Sequence, residues 1–163
     1  MTSAQESRGG APVGFITDLD SIEAAAVIYL RLWSDGPDSR QAVLNDFAAS
    51  LGRVQGAKAV QGFEDLCRTC AQYGRRPLMR HSVHCKCLGS DESCFANFIA
   101  TATTGDRNDA MLIATLLVRP DVAPLITSLA ADFGLALKRM KLRAPKFYGS
   151  GAKAPHAQPT TLH

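Results

Sequence analysis

MLIATLLV, residues 111–118, is the stretch whose reading decides the fold, because a helix there makes the chain all-α and a buried strand would demand a sheet. An apolar run of this length fits either element by periodicity alone. Two features favour the helix. Asp106, followed three residues later by Asp109, begins it in the manner of a capping box with Asp in place of Glu or Gln. Its alanine, leucine and methionine are also helix formers, whereas strands are rich in β-branched and aromatic residues. Pro120 closes it. A helix that is apolar all round is the expected central helix of a small bundle.

Reading outward from there, helical spacing recurs on both sides. Upstream, Ser90, Asp91 and Glu92 start a helix with Phe95, Phe98, Ile99 and Ala102 on one side, ended by Gly105. The short connection TTGD, residues 103–106, predicts a hairpin of these two helices. Downstream, Asp121 caps a helix carrying Val122, Leu125, Ile126, Leu129 and Phe133, with Pro124 tolerated in its first turn. Gly134 is expected to stop that helix or to kink it before Leu135–Met140.

The front half follows the same pattern. Leu19, Ile22, Ala26, Tyr29 and Trp33 fall on one stripe, with Thr17 or Asp18 as cap and Asp20 and Glu23 favourable to the N-terminal end of the dipole. SDGPD, residues 34–38, breaks the helix. A second helix, capped by Asp38 or Ser39, carries Val43, Leu44, Phe47, Ala48 and Leu51 and ends near Gly52. A third runs from about Gln55 to Tyr73 with Ala59, Val60, Phe63, Leu66, Cys67 and Cys70 on its face, and Gly74 stops it. No run of alternating residues is long enough to suggest a sheet. The predicted architecture is all-α: a single-domain bundle of about six helices over residues 17–140, a flexible leader at 1–16 and a basic disordered tail at 141–163.

Composition excludes several classes of protein. The longest apolar run is eight residues, well short of the roughly 20 a helix needs to cross a bilayer, so no membrane span is expected. The opening MTSAQESRGGAPVG has no secretory h-region, which predicts a cytoplasmic protein. Five cysteines in such a chain argue against a disulfide framework and for thiols that are reduced, buried or metal-bound. The net charge of +3 is unevenly spread, since residues 133–163 hold six basic and no acidic residues. There is no P-loop, G-x-G-x-x-G, G-x-S-x-G or H-E-x-x-H. The paired acids Asp18 with Asp20, Asp91 with Glu92 and Asp106 with Asp109 all fall at helix starts, where capping accounts for them, so the reading leans away from an enzyme.

Chemistry concentrates in GRRPLMRHSVHCKCLG, residues 74–89, the joint between the two halves. His81, His84, Cys85 and Cys87 form H-x-x-H-C-x-C, and imidazole nitrogen with thiolate sulfur is the ligand set zinc prefers. In an extended chain His81, Cys85 and Cys87 share a face and His84 and Lys86 take the other. The expected zinc set is therefore His81, Cys85 and Cys87, with His84 or Cys94 as the fourth ligand. Cys67 and Cys70 read as core, because they continue the stripe of Phe63 and Leu66. Arg75, Arg76, Arg80 and Lys86 would then face an acidic protein partner.

The expected function is a non-catalytic helical binding or regulatory module acting through a protein partner, with its His/Cys loop ordered by zinc. Homo-oligomerisation stays open. One alternative is a thiol-redox sensor using Cys85 or Cys87 with Cys94 as the resolving thiol. Another is a nucleic-acid-associated protein using the basic loop and tail, with Phe147 and Tyr148 to stack on bases. A nucleophilic Cys85 with a histidine base lacks an evident orienting third group in the sequence.

Overall fold

Turn chemistry sets the helix boundaries seen in the computed structural model, which describes residues 8–143. The helices are α1 (Ser21–Ser34), α2 (Pro37–Leu51), α3 (Arg53–Tyr73), α4 (Ser90–Thr103), α5 (Arg107–Leu117) and α6 (Ala123–Arg143). Asp20, rather than Thr17 or Asp18, caps α1 by accepting the Glu23 N–H at 2.9 Å. Gly36 precedes α2, with Pro37 in its first turn. Asp106 caps α5 by accepting the Asp109 N–H at 3.2 Å, as the sequence predicts.

The fold is an all-α bundle with one small addition. Strand β1 (Pro12–Phe15) pairs antiparallel with β2 (Cys87–Gly89), setting Phe15 opposite Cys87 and Gly14 opposite Leu88. Both the expected absence of strands and the expected leader therefore change. Residues 12–15 are held because their backbone groups complete a ladder with the end of the loop, and Ser90 donates its N–H to the Ala11 carbonyl at 3.0 Å. Of the expected tail, residues 141–143 continue α6, and Lys146, Phe147, Tyr148 and Lys153 lie outside the described residues.

The central helix is α6 and not α5. It packs against each of the other helices. The ring of Phe133 in α6 stacks on Phe63 of α3 at 4.3 Å and on Phe47 of α2 at 6.3 Å, while Trp33 meets Phe63 edge-on at 5.8 Å. Gly134 does not stop α6, which runs on to Arg143. A Cβ there would fall on the Oγ1 of Thr103 and 2.9 Å from its Cβ, so the glycine serves the close approach of α4. In α5, Ala110, Ala114 and Leu117 face inward, whereas Leu112 and Leu116 are 68% and 69% exposed. No described helix is long and apolar enough to cross a membrane.

Candidate functional site

The loop from Gly74 to Lys86 is built around a side chain from a distant helix. Arg31 in α1 is 2% exposed. Its Nη1 donates to the carbonyls of Ser82 at 3.1 Å and Cys85 at 2.7 Å, and its Nη2 donates to the carbonyl of Cys87 at 2.7 Å. Glu92 in the first turn of α4 takes the rest of the guanidinium, with Nε at 2.6 Å and Nη2 at 2.9 Å. A fork of fixed donors suits this task, since one planar group can fasten a carboxylate and several carbonyls together. Glu92 also accepts the N–H groups of Gly89 at 2.9 Å and His81 at 3.3 Å. Burial pushes its carboxyl upward, but the hydrogen bond from Arg31, that from Gly89 and the Arg31 charge outweigh it and hold the pKa below the usual value.

A second carboxylate fastens the loop's entrance. Asp91 accepts both terminal nitrogens of Arg76, at 2.6 and 2.5 Å, and the N–H of Met79 at 2.8 Å. Beyond it, a turn in which Cys85 donates its N–H to the Ser82 carbonyl at 3.0 Å folds the chain back. The Sγ of Cys85 thereby lies 3.8 Å from Nδ1 of His81. On the other edge of the ring, Nε2 of His81 is 2.9 Å from the carbonyl of Gly10, 71 positions earlier. A carbonyl only accepts, so Nε2 carries the hydrogen and Nδ1 turns its lone pair toward the thiol.

The expected zinc set does not assemble. Of its members, His81 and Cys85 approach each other, His84 is exposed on the turn, and Cys87 sits in β2. Cys94, in α4, lines a separate groove with Val13, Ile113 and Leu116. Among the described residues, no group of three or more His, Cys, Asp or Glu side chains is placed to hold a metal ion. The physical reason is that Arg31 occupies the middle of the loop, a place a cation could not share, and the Gly10 carbonyl takes Nε2 of His81.

The other predicted positions divide. Arg80 and Lys86 are exposed, and Arg75 is exposed while its Nε donates to the Thr115 carbonyl at 2.9 Å. Arg76, expected to face a partner, is committed to Asp91 instead. Cys67 and Cys70 pack in or against the core as expected, and burial raises both thiols, that of Cys70 to about 12. Burial and the neighbouring Asp91 raise Cys94 as well.

Sequence reasoning missed Arg31, Glu92 and Gly10. One signal for Arg31 was present: Ala24, Val27 and Arg31 repeat at three and four, so a cation ends an apolar stripe. Beside this site runs a shallow groove of about 510 Å³, whose lining includes Val13, Glu23, Asn97, Ile113 and Leu116 with Ser90, Ser93 and Cys94 of the α4 start. Val13 and Phe15, two apart on β1, are 58% and 55% exposed. Compared with family models, with curated proteins and with solved structures, the chain has no match in any of the three.

Proposed function

We propose that this chain is a non-catalytic helical binding module acting through a protein partner, and that the partner presents an amphipathic helix with a basic residue beside its apolar stripe. The observation that carries this reading is the apolar surface shared by β1 and α5. Val13, Leu112 and Leu116 are all more than half exposed; Val13, Ile113 and Leu116 line one groove, and Leu112 is next to Ile113 on α5. Contiguous apolar surface on a folded domain marks an interaction site. Leu112, Ile113 and Leu116 lie on one stripe of α5, and a groove bordered by three helices and a strand suits a helix laid into it.

Charge selects the partner's flank. Glu23 is the one charged side chain among the residues that line the groove. Burial, a hydrogen bond with Asp20 and the Asp20 charge all raise its carboxyl, so a cation from the partner would relieve crowding of negative charge. Zinc plays no part in this reading.

The test uses a labelled leucine–lysine peptide of about 18 residues with a single apolar stripe, titrated with the full chain. Saturable binding with Kd below about 100 μM, weakened at least tenfold in the Leu112→Glu, Leu116→Glu double variant at unchanged helical circular dichroism, is the expected result. Absence of saturation up to about 1 mM, or equal binding by the variant, overturns the reading. So does stable self-association that the double variant abolishes, because the face would then belong to a second copy.

A further inference from the structure

We propose that Cys85 is a modification site that takes up a low-molecular-weight disulfide by thiol–disulfide exchange, with His81 as the base that receives its proton. This does not depend on the docking face. It rests on three placements: the 3.8 Å approach of Cys85 Sγ to His81 Nδ1, the 2.9 Å bond from His81 Nε2 to the Gly10 carbonyl, and the clasp of Arg31 on the carbonyls of Ser82, Cys85 and Cys87. A nucleophile, a base facing it and a group orienting the base form the arrangement that covalent chemistry at sulfur requires. The orienting group here is a backbone carbonyl, which fixes the ring's tautomer as a carboxylate would in other sites.

The exchange balances without any further reactant. The Sγ–H proton of Cys85 passes to Nδ1 of His81, and the sulfur's electron pair forms a new S–S bond with one sulfur of the disulfide R–S–S–R. The old S–S bond breaks, and its pair leaves on the second sulfur as RS⁻, which takes the proton back from the imidazolium as RSH. Cys85 is oxidised to the mixed disulfide, and one RS unit is reduced to the thiol.

Position also separates Cys85 from the other thiols. Cys70 is buried, and Cys67 and Cys94, half-buried like Cys85, pack against the core. Cys85 is partly open to solvent on the turn, beside exposed His84 and Lys86. Cys87, two residues on, lies in β2 with its carbonyl on Arg31, and among the described residues its sulfur makes no bond to a histidine.

The experiment exposes the reduced full chain to glutathione disulfide at neutral pH, quenches at intervals and locates the adduct by peptide mass spectrometry. Cys85 should be modified first, at least about tenfold faster than Cys87 or Cys94. His81→Gln keeps an N–H near Nε2 for Gly10 but removes the base at Nδ1, and should slow the reaction at Cys85 about tenfold or more without lowering the melting temperature. Should that variant lose the native fold, His81→Gly with added imidazole replaces it, and restored selectivity for Cys85 supports the assignment. First modification at another cysteine overturns it. An undiminished rate in His81→Gln, or no rescue by imidazole, does the same.

Discussion

Nε of Arg31 lies 2.6 Å from a carboxylate oxygen of Glu92, and both side chains are shut off from solvent, at 1% and 0% exposure. This pair joins three parts of the chain that are far apart in sequence: α1, the loop and the start of α4. Removing one partner strands the other charge in the interior, which costs about 3–5 kcal/mol. Arg31→Met and Glu92→Leu should each lower unfolding free energy by that order in urea titrations. The double variant should recover part of the loss but not all, because the carbonyls of Ser82, Cys85 and Cys87 would still lack their donor. Full recovery would show that the pair, and not the clasp on the loop, is what Arg31 provides.

Acid should weaken the fold through Glu92. Its folded carboxyl titrates below the ordinary value, so protons bind more readily to the unfolded chain than to the native one. The stability it contributes is complete above the usual glutamate range, near 4.3, and disappears as pH falls through the lowered folded value. The stability gap between wild type and Glu92→Gln should therefore be widest near neutral pH and should close in strong acid. A gap that stays constant from neutral pH to about pH 2 would remove Glu92 as the titrating group.

Gly134→Ala should destabilise the bundle even though alanine is the better helix former. The gain in propensity is about 1 kcal/mol. Against it stands the added methyl, which meets Oγ1 and Cβ of Thr103, a side chain already held by its bond to the Ile99 carbonyl at 2.6 Å. Overpacking of this kind costs about 1–3 kcal/mol, so the net sign is a loss. Thr103→Ala in the same chain should restore part of it, and a double-mutant cycle by thermal melts reads the coupling.

Deleting residues 1–15 should do more than trim an end. The deletion removes the partner of β2, the Ala11 carbonyl that receives the Ser90 N–H, and the Gly10 carbonyl that orients His81. Loss of a few hydrogen bonds, each with a net value of about 0.5–1.5 kcal/mol, should lower the melting temperature by several degrees and abolish amide protection at 87–89. Unchanged protection there would mean that β2 is held without β1.

The sequence by itself determined the helices. Apolar spacing of three and four, together with Asp106, Pro37, Gly74 and Gly105 at the boundaries, reflects forces acting within a few residues, and those are written locally. It determined that Cys67 and Cys70 belong to the core, since they extend a stripe already set by Phe63 and Leu66. It also singled out the loop at 74–89, where His84 and Lys86 are exposed and His81, Cys85 and Cys87 are half-buried. Tertiary structure decided which helix is central. The small residues Ala130, Gly134 and Ala136 let α6 approach its neighbours, while the more apolar α5 keeps two leucines at the surface. It also decided how the loop is held. Charge and ligand type drew attention to a metal, but Arg31 comes from 51 positions before Ser82 and the Gly10 carbonyl from 71 before His81. Hydrogen bonds between groups so distant along the chain depend on how the helices pack, and a backbone carbonyl has no residue identity from which to read it.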